Sequence, residues 1–135
     1  MAHAASGTSG PTESPNLLPG LAVCVVVSND GTAPILVTFK SKTDSDPISR
    51  QLMENEVIRV TTFDHSMGIL SVTVTSSQSV PYRFWWSQNE VIEPDLTECQ
   101  AFLGFLMVLW PVAIVDEPYL PCRRRAHRPC GPCQP

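Results

Sequence analysis

Residues 21–40 read L-A-V-C-V-V-V-S-N-D-G-T-A-P-I-L-V-T-F-K, and this stretch sets the character of the chain. From Leu21 to Val27 the run is dense in valine, whose branched Cβ suits a pleated strand better than a helix. The polar group Ser28-Asn29-Asp30-Gly31-Thr32 follows, and a second strand-like run extends from Ile35 to Lys40. Asp and Gly tolerate the positive φ of tight turns. Two such runs around Asn-Asp-Gly therefore predict a β-hairpin with a loop of about five residues.

Working outward, three more strand-like runs occur at Glu56–Phe63, Ile69–Thr75 and Pro81–Trp86. In Ile69–Thr75 the alternation assigns Leu70, Val72 and Val74 to one face and Ser71, Thr73 and Thr75 to a wet one. Residues 41–54 are polar, with a single helical turn expected at Ile48–Met53. Five short strands at roughly 12-residue spacing, joined by polar turns, predict a mainly β fold: an antiparallel sandwich or open barrel of five or more strands.

The pattern breaks after Ser87. Glu90, Glu93, Asp95 and Glu98 lead into A-F-L-G-F-L-M-V-L-W-P-V-A-I-V at 101–115. Asp95 with Glu98 three residues later matches a capping box, Pro94 stands just ahead and Pro111 is a stop, so one apolar helix is expected over about 96–109. Two strands broken near Gly104 and Pro111 are the competing reading, because a run apolar on every side has no periodicity to decide. The run also raises a membrane reading. A helix of ~15 residues spans about 22 Å, short of a hydrocarbon core of about 30 Å. Burial in the fold or in an oligomer interface is the preferred expectation.

At 135 residues the chain holds one domain with a real core. Its charged fraction is 16 %, well under the ~25 % of an ordinary soluble domain, which favours an oligomer, an assembly subunit or a membrane-facing protein over a free monomeric enzyme. Residues 1–19 are poor in apolar side chains and are expected to be a flexible arm, leaving 20–121 as a single β-rich domain. The remaining segment, 122–135, is a basic Cys/Pro-rich tail, also expected to be disordered. Residues 1–121 carry five Lys/Arg against thirteen Asp/Glu, a balance of −8, and the tail adds four arginines. The acidic body disfavours nonspecific nucleic-acid binding, with the tail as the exception. The start of the sequence lacks a basic segment ahead of an apolar one, and five cysteines cannot all pair within a monomer. An intracellular, cytoplasmic location is expected.

In the tail, Cys122, His127, Cys130 and Cys133 give C-x4-H-x2-C-x2-C, four nitrogen and sulfur ligands of the kind zinc takes. A solvent-exposed tail without metal is the preferred alternative, so no cofactor is expected, zinc in the tail being the exception. Cys130-Gly131-Pro132-Cys133 spells the thioredoxin redox tetrapeptide, but only two residues follow it and no helix can form behind it to activate a thiolate. Arg123, Arg124, Arg125 and Arg128 suit an anionic partner, though no aromatic residue interleaves with them for base stacking. Asp64-His65-Ser66 has the residue types of a hydrolase triad, but adjacent residues cannot converge on one point.

Tyr82, Phe84, Trp85 and Trp86 are the candidate protein-interface residues. Consecutive strand residues point to opposite faces, so Trp85 and Trp86 cannot both enter one core. An exposed tryptophan is a typical interface anchor. No nucleophile, base and metal set converges, so the chain is read as non-enzymatic. The expected function is that of a structural or protein-interaction module, self-associating or binding a protein partner. A subunit of a larger assembly such as a viral shell fits an arm plus sandwich by fold-level analogy. The alternative is a small membrane-anchored protein with a β-rich head, an apolar segment at 96–115 and the basic tail.

Overall fold

The computed structural model describes residues 3–41, 47–62 and 68–92, together with the strand backbone of Ala2 and of 101–102, 107–109 and 112–114. The protein is mainly β, with seven antiparallel strands in two sheets and no helix among the described residues. The strands are β1 (Ala2–Ser9), β2 (Cys24–Asn29), β3 (Ile35–Ser41), β4 (Ile48–Leu52), β5 (Glu56–Thr61), β6 (Ile69–Thr75), β7 (Val80–Ser87), β8 (Ala101–Phe102), β9 (Met107–Leu109) and β10 (Val112–Ile114). One sheet has the order β1-β7-β2-β5-β8, the other β4-β3-β6, and β9 and β10 form a separate antiparallel pair.

The five expected strands are present, but two local expectations fail. β2 and β3 do not form a hairpin: β2 pairs with β5 and β7, while β3 pairs with β4 and β6 in the other sheet. The reason is Asn29. Its fully buried side chain donates to the carbonyls of Ala33 and Leu52 (2.9 Å each) and accepts from Gly31 N–H (2.9 Å), so the chain is carried across from one sheet to the other. Gly31 is required there, since a Cβ would stand 2.6 Å from Val80 Cγ1 and 2.9 Å from Pro81 Cδ. In place of the helical turn expected at Ile48–Met53, β4 pairs with β3 from Phe39 opposite Ile48 to Ile35 opposite Leu52.

The apolar helix expected over 96–109 is not shown: within that range the structure describes only 101–102 and 107–109, and these are strand. Ala101–Phe102 pairs in parallel with Glu56–Val57 of β5, and Met107–Leu109 pairs antiparallel with Val112–Ile114. Periodicity could not separate the two readings, and pairing with β5 and between β9 and β10 decides for strand at these positions. Among the described residues no helix is long and apolar enough to cross a membrane.

Within the segment expected to be a flexible arm, Ala2–Ser9 is a strand in continuous register with β7, from Ala2 opposite Ser87 to Ser9 opposite Val80. Residues 10–18 then lie along the free edge of β6. Ser14 N–H donates to Val74 C=O (3.0 Å), Leu17 N–H to Val72 C=O (2.9 Å), and Ser76 N–H to Gly10 C=O (2.9 Å). Pro11 and Pro15 have no N–H to offer, and side chains complete the ladder. Val72 N–H donates to Asn16 Oδ1 and Val74 N–H to Ser14 Oγ (3.0 Å each), while Asn16 Nδ2 donates to Leu70 C=O (3.2 Å). Leu18 is buried at the end of this segment. Partners eighty residues away in sequence (about that distance separates β1 from β7) supply the order that local composition could not.

Taken together the pairings are nested: β3 with β4, β2 with β5, residues 10–18 with β6, and β1 with β7. One core lies between the sheets. Val25, Val27, Ile58, Val60, Tyr82 and Phe84 enter it from the first sheet, and Ile35, Val37, Phe39, Leu52, Val72 and Val74 from the second. The expected face of β6 holds for Val72 and Val74 but not for Leu70, which is 41 % exposed. Lys40 faces Ser71 and Ser41 faces Ile69, so Leu70 is the extra residue of a bulge and Ile69 takes the core position.

Candidate interaction surface

β7 carries V-P-Y-R-F-W-W-S, and its pleat sorts these residues cleanly. Val80, Tyr82, Phe84 and Trp86 join the core between the sheets. Tyr82 and Phe84 are 6 % and 2 % exposed, which removes them from the accessible surface and corrects their reading as interface residues. Burial also raises the Tyr82 phenol above its usual pKa, because the phenolate would lose its hydration. Trp86 is half-buried at the rim of this core, and the His3 ring stacks on it at 4.2 Å with 19° between planes.

Trp85 points to the opposite side, the outer face of the first sheet. There it packs, half-buried, on a second apolar cluster of Val23, Cys24, Val26, Val57 and Ile92. Arg83, two residues earlier and on the same face, sets its guanidinium carbon 5.1 Å from the centre of a Trp85 ring. Asp30 holds that arginine in two contacts, Nε to Oδ2 at 2.7 Å and Nη2 to Oδ1 at 3.2 Å. Asp30 is itself fixed by Ser28 Oγ (2.6 Å) and by its own N–H donating to Pro81 C=O (3.0 Å). The ion pair is partly solvated, so its role is to orient the guanidinium over the indole more than to stabilise the fold.

Beside this pair, β1 contributes only Ala4, Ala5 and Ser6. Together with Arg83 and Trp85 these residues line an open depression of about 260 Å³. On the far side, the chain leaving β7 turns back over the same face. Ser87 Oγ accepts from Asn89 and Glu90 N–H (3.2 and 3.1 Å), and Ile92 N–H donates to Cys24 Sγ (3.3 Å). Arg59 Nη1 reaches Ile92 C=O at 3.4 Å. Ile92 is thereby buried on the cluster while Val91 stands 55 % exposed beside it. The result is a surface with a cation over an indole at its centre, an apolar side chain at one flank and a shallow depression at the other.

Of the sequence-derived interface candidates, Trp85 is on this surface and Trp86 is on the opposite face of β7. Arg83 and Val91 were not singled out from the sequence. Arg83 was readable there, since a strand puts residues two apart on the same side. Val91 had no comparable signal. Cys122, His127, Cys130 and Cys133, with the zinc they would hold, and Arg123, Arg124, Arg125 and Arg128 lie outside the described residues, as does Asp64-His65-Ser66. Among the described residues no three His, Cys, Asp or Glu side chains are grouped to hold a metal ion. No protein-family model, curated protein or solved structure matches this chain.

Proposed function

We propose that this chain is a non-enzymatic structural or protein-interaction module, a subunit of a larger assembly, that meets its protein partner through the outer-face surface centred on Trp85 and Arg83. The nested pairing is the plan of a jelly-roll sandwich, in which a long antiparallel ribbon wraps so that its two halves fill two sheets. Viral shell and lectin domains use that architecture, which supports the assembly reading by analogy of fold. The observation that carries the site is the placement of a half-buried tryptophan under an oriented arginine, next to a depression floored by small residues. Tryptophan and arginine are the residue types that dominate binding at protein interfaces, and a pocket beside them admits a partner side chain. Sedimentation velocity of the purified full chain over a range of concentrations tests this. The expected result is an associating species that Trp85→Ala shifts at least tenfold toward smaller mass. Association unchanged in Trp85→Ala and Arg83→Ala would remove the surface from the reading.

A further inference from the structure

β7, β2 and β5 lie side by side in the first sheet, and their registers set three rows of side chains across its outer face. Ser87, Cys24 and Thr61 form the first row, Trp85, Val26 and Arg59 the second, and Arg83, Ser28 and Val57 the third. The middle strand is fully buried in all three rows, and so is Val57 at the corner of the third. From Cys24 to Val57 this burial extends over about 14 Å. Among the described residues, Ile92 is seated at one end, with its N–H on Cys24 Sγ, and Trp85 packs in from the side. Arg59 extends toward Ile92 C=O. One isoleucine at one end and one half-buried indole at the margin are too few to enclose Val57 about 14 Å away.

The chain itself runs back to this place. Beyond Ile92 it pairs Ala101–Phe102 with Glu56–Val57, at the very corner that lacks cover. The run 101–115 that starts there carries no charged side chain. β9 then comes within 8 Å of β5, Cα to Cα, without pairing with it. A strand one place beyond β8 would stand about 9.6 Å from β5, so β9 is not a further strand of that sheet. The inner face is closed by the second sheet, which leaves the outer one.

We propose that the apolar run 101–115, through the β9–β10 pair, is seated on the outer face of the first sheet of its own chain, over Cys24, Val26 and Val57, as the third layer of the fold. Chemistry and reach both select this occupant. The face is built of valine and cysteine, the run is apolar on every side, and β8 fixes its start beside Val57. Apolar layers on both sides of a sheet are what a strand such as Val23–Val27 requires. Seated there, the run is withdrawn from a membrane and from a second copy, the two other occupants its composition would suit. The layer lies over β2 and β5, whereas Arg83 and Trp85 stand on β7, so this inference does not rest on the preceding reading.

The test makes Cys24 the reporter. In the full chain, Cys99, Cys122, Cys130 and Cys133 are replaced by serine, and the rate at which N-ethylmaleimide labels Cys24 is measured with and without Val108→Asp or Leu109→Asp. Neighbouring strand residues take opposite sides, so one of the two charges falls on the side toward the sheet. The expected result is slow labelling in the parent, equal at low and high protein concentration and with or without phosphatidylcholine–phosphatidylserine vesicles. One aspartate variant should label at least tenfold faster while the amides of β3 and β6 stay protected from exchange. Labelling that neither charge changes would overturn the proposal. So would protection that appears only at high concentration or only with vesicles, which would assign the run to a second copy or to a membrane. Should both aspartate variants unfold, photo-leucine in the parent decides instead. Intrachain crosslinks from Leu103, Leu106 or Leu109 to the peptides holding Cys24–Val26 or Val57 support the third layer, and their absence overturns it. None of these outcomes alters the association test of Trp85→Ala.

Discussion

On the outer face of the first sheet the central side chains are Cys24, Val26, Val57 and Trp85, joined by Ile92 from the returning chain. On the outer face of the second they are Leu36, Thr38 and Lys40 from β3, Ser49 and Gln51 from β4, and Ser71, Thr73 and Thr75 from β6. Thr38 there shares a hydrogen bond with Ser49 (2.9 Å), and Thr73 donates to Glu13 (2.9 Å). The two sheets share one core, but only the second meets water in the ordinary way. The first carries a buried apolar cluster on its outer side as well, which is why β2 reads as an apolar run while β3 and β6 alternate. An inner core alone explains the second sheet. The first needs a third layer, begun by Ile92.

A charge placed on each outer face is the sharpest way to break this comparison. Val26 is fully buried, so Val26→Asp is expected to cost at least about 3 kcal/mol, enough to unfold a marginal domain. Thr38→Asp on the second sheet should stay within about 0.5 kcal/mol. Urea denaturation measures both, and Val26→Ala, expected at about 2 kcal/mol, serves if the aspartate variant does not fold. Equal sensitivity of the two faces would refute the difference between them.

The next effect lies where the chain passes between the sheets. Asn29→Ala leaves the buried carbonyls of Ala33 and Leu52 without their donor, and a loss of roughly 2–3 kcal/mol is expected by the same measurement. Asn29→Asp would keep the shape and test whether donation, not volume, is what holds the crossing.

The smallest effect concerns pH and the shared core. Because burial raises the Tyr82 pKa above the usual value near 10, the folded protein keeps this proton to higher pH than the unfolded chain does. The stability from a neutral Tyr82 is therefore complete below about pH 10 and lost as pH rises through the folded value. Tyr82→Phe should flatten the alkaline limb of a stability–pH curve while leaving neutral-pH stability nearly unchanged. A limb as steep as that of wild type would refute the assignment to this residue.

Much of the fold was legible in the chain. Valine-rich and alternating runs located β2, β3, β5, β6 and β7, because side-chain shape and period-two burial are local properties. What stayed hidden depends on partners remote in sequence. Asn-Asp-Gly looked like a hairpin turn, yet the buried carboxamide of Asn29 makes it a crossing between sheets. A-H-A-A-S-G-T-S has too little apolar surface to order itself, and β7 orders it. The run at 101–115 has no polar face, so only pairing with β5 could separate strand from helix at its described positions. For the candidate surface, the pleat rule separated Trp85 from Trp86. It could not place Asp30 under Arg83 or Ile92 over Cys24, since those contacts join distant segments.

The nested pairing also bears on how the molecule acquires its shape. Phe39 and Ile48 close a short loop, whereas Ser9 and Val80, 71 positions apart, must wait until nearly all the strands between them exist. Loop-closure entropy rises with that separation, so zipping from the innermost pair outward is the least costly order. β1 leaves the ribosome well before β7 does, yet on this order it is the last strand to be seated. For that interval a strand with no charge and no proline is held only by its chain connection, and a neighbouring nascent chain offers it the same vacant β7 edge as its own.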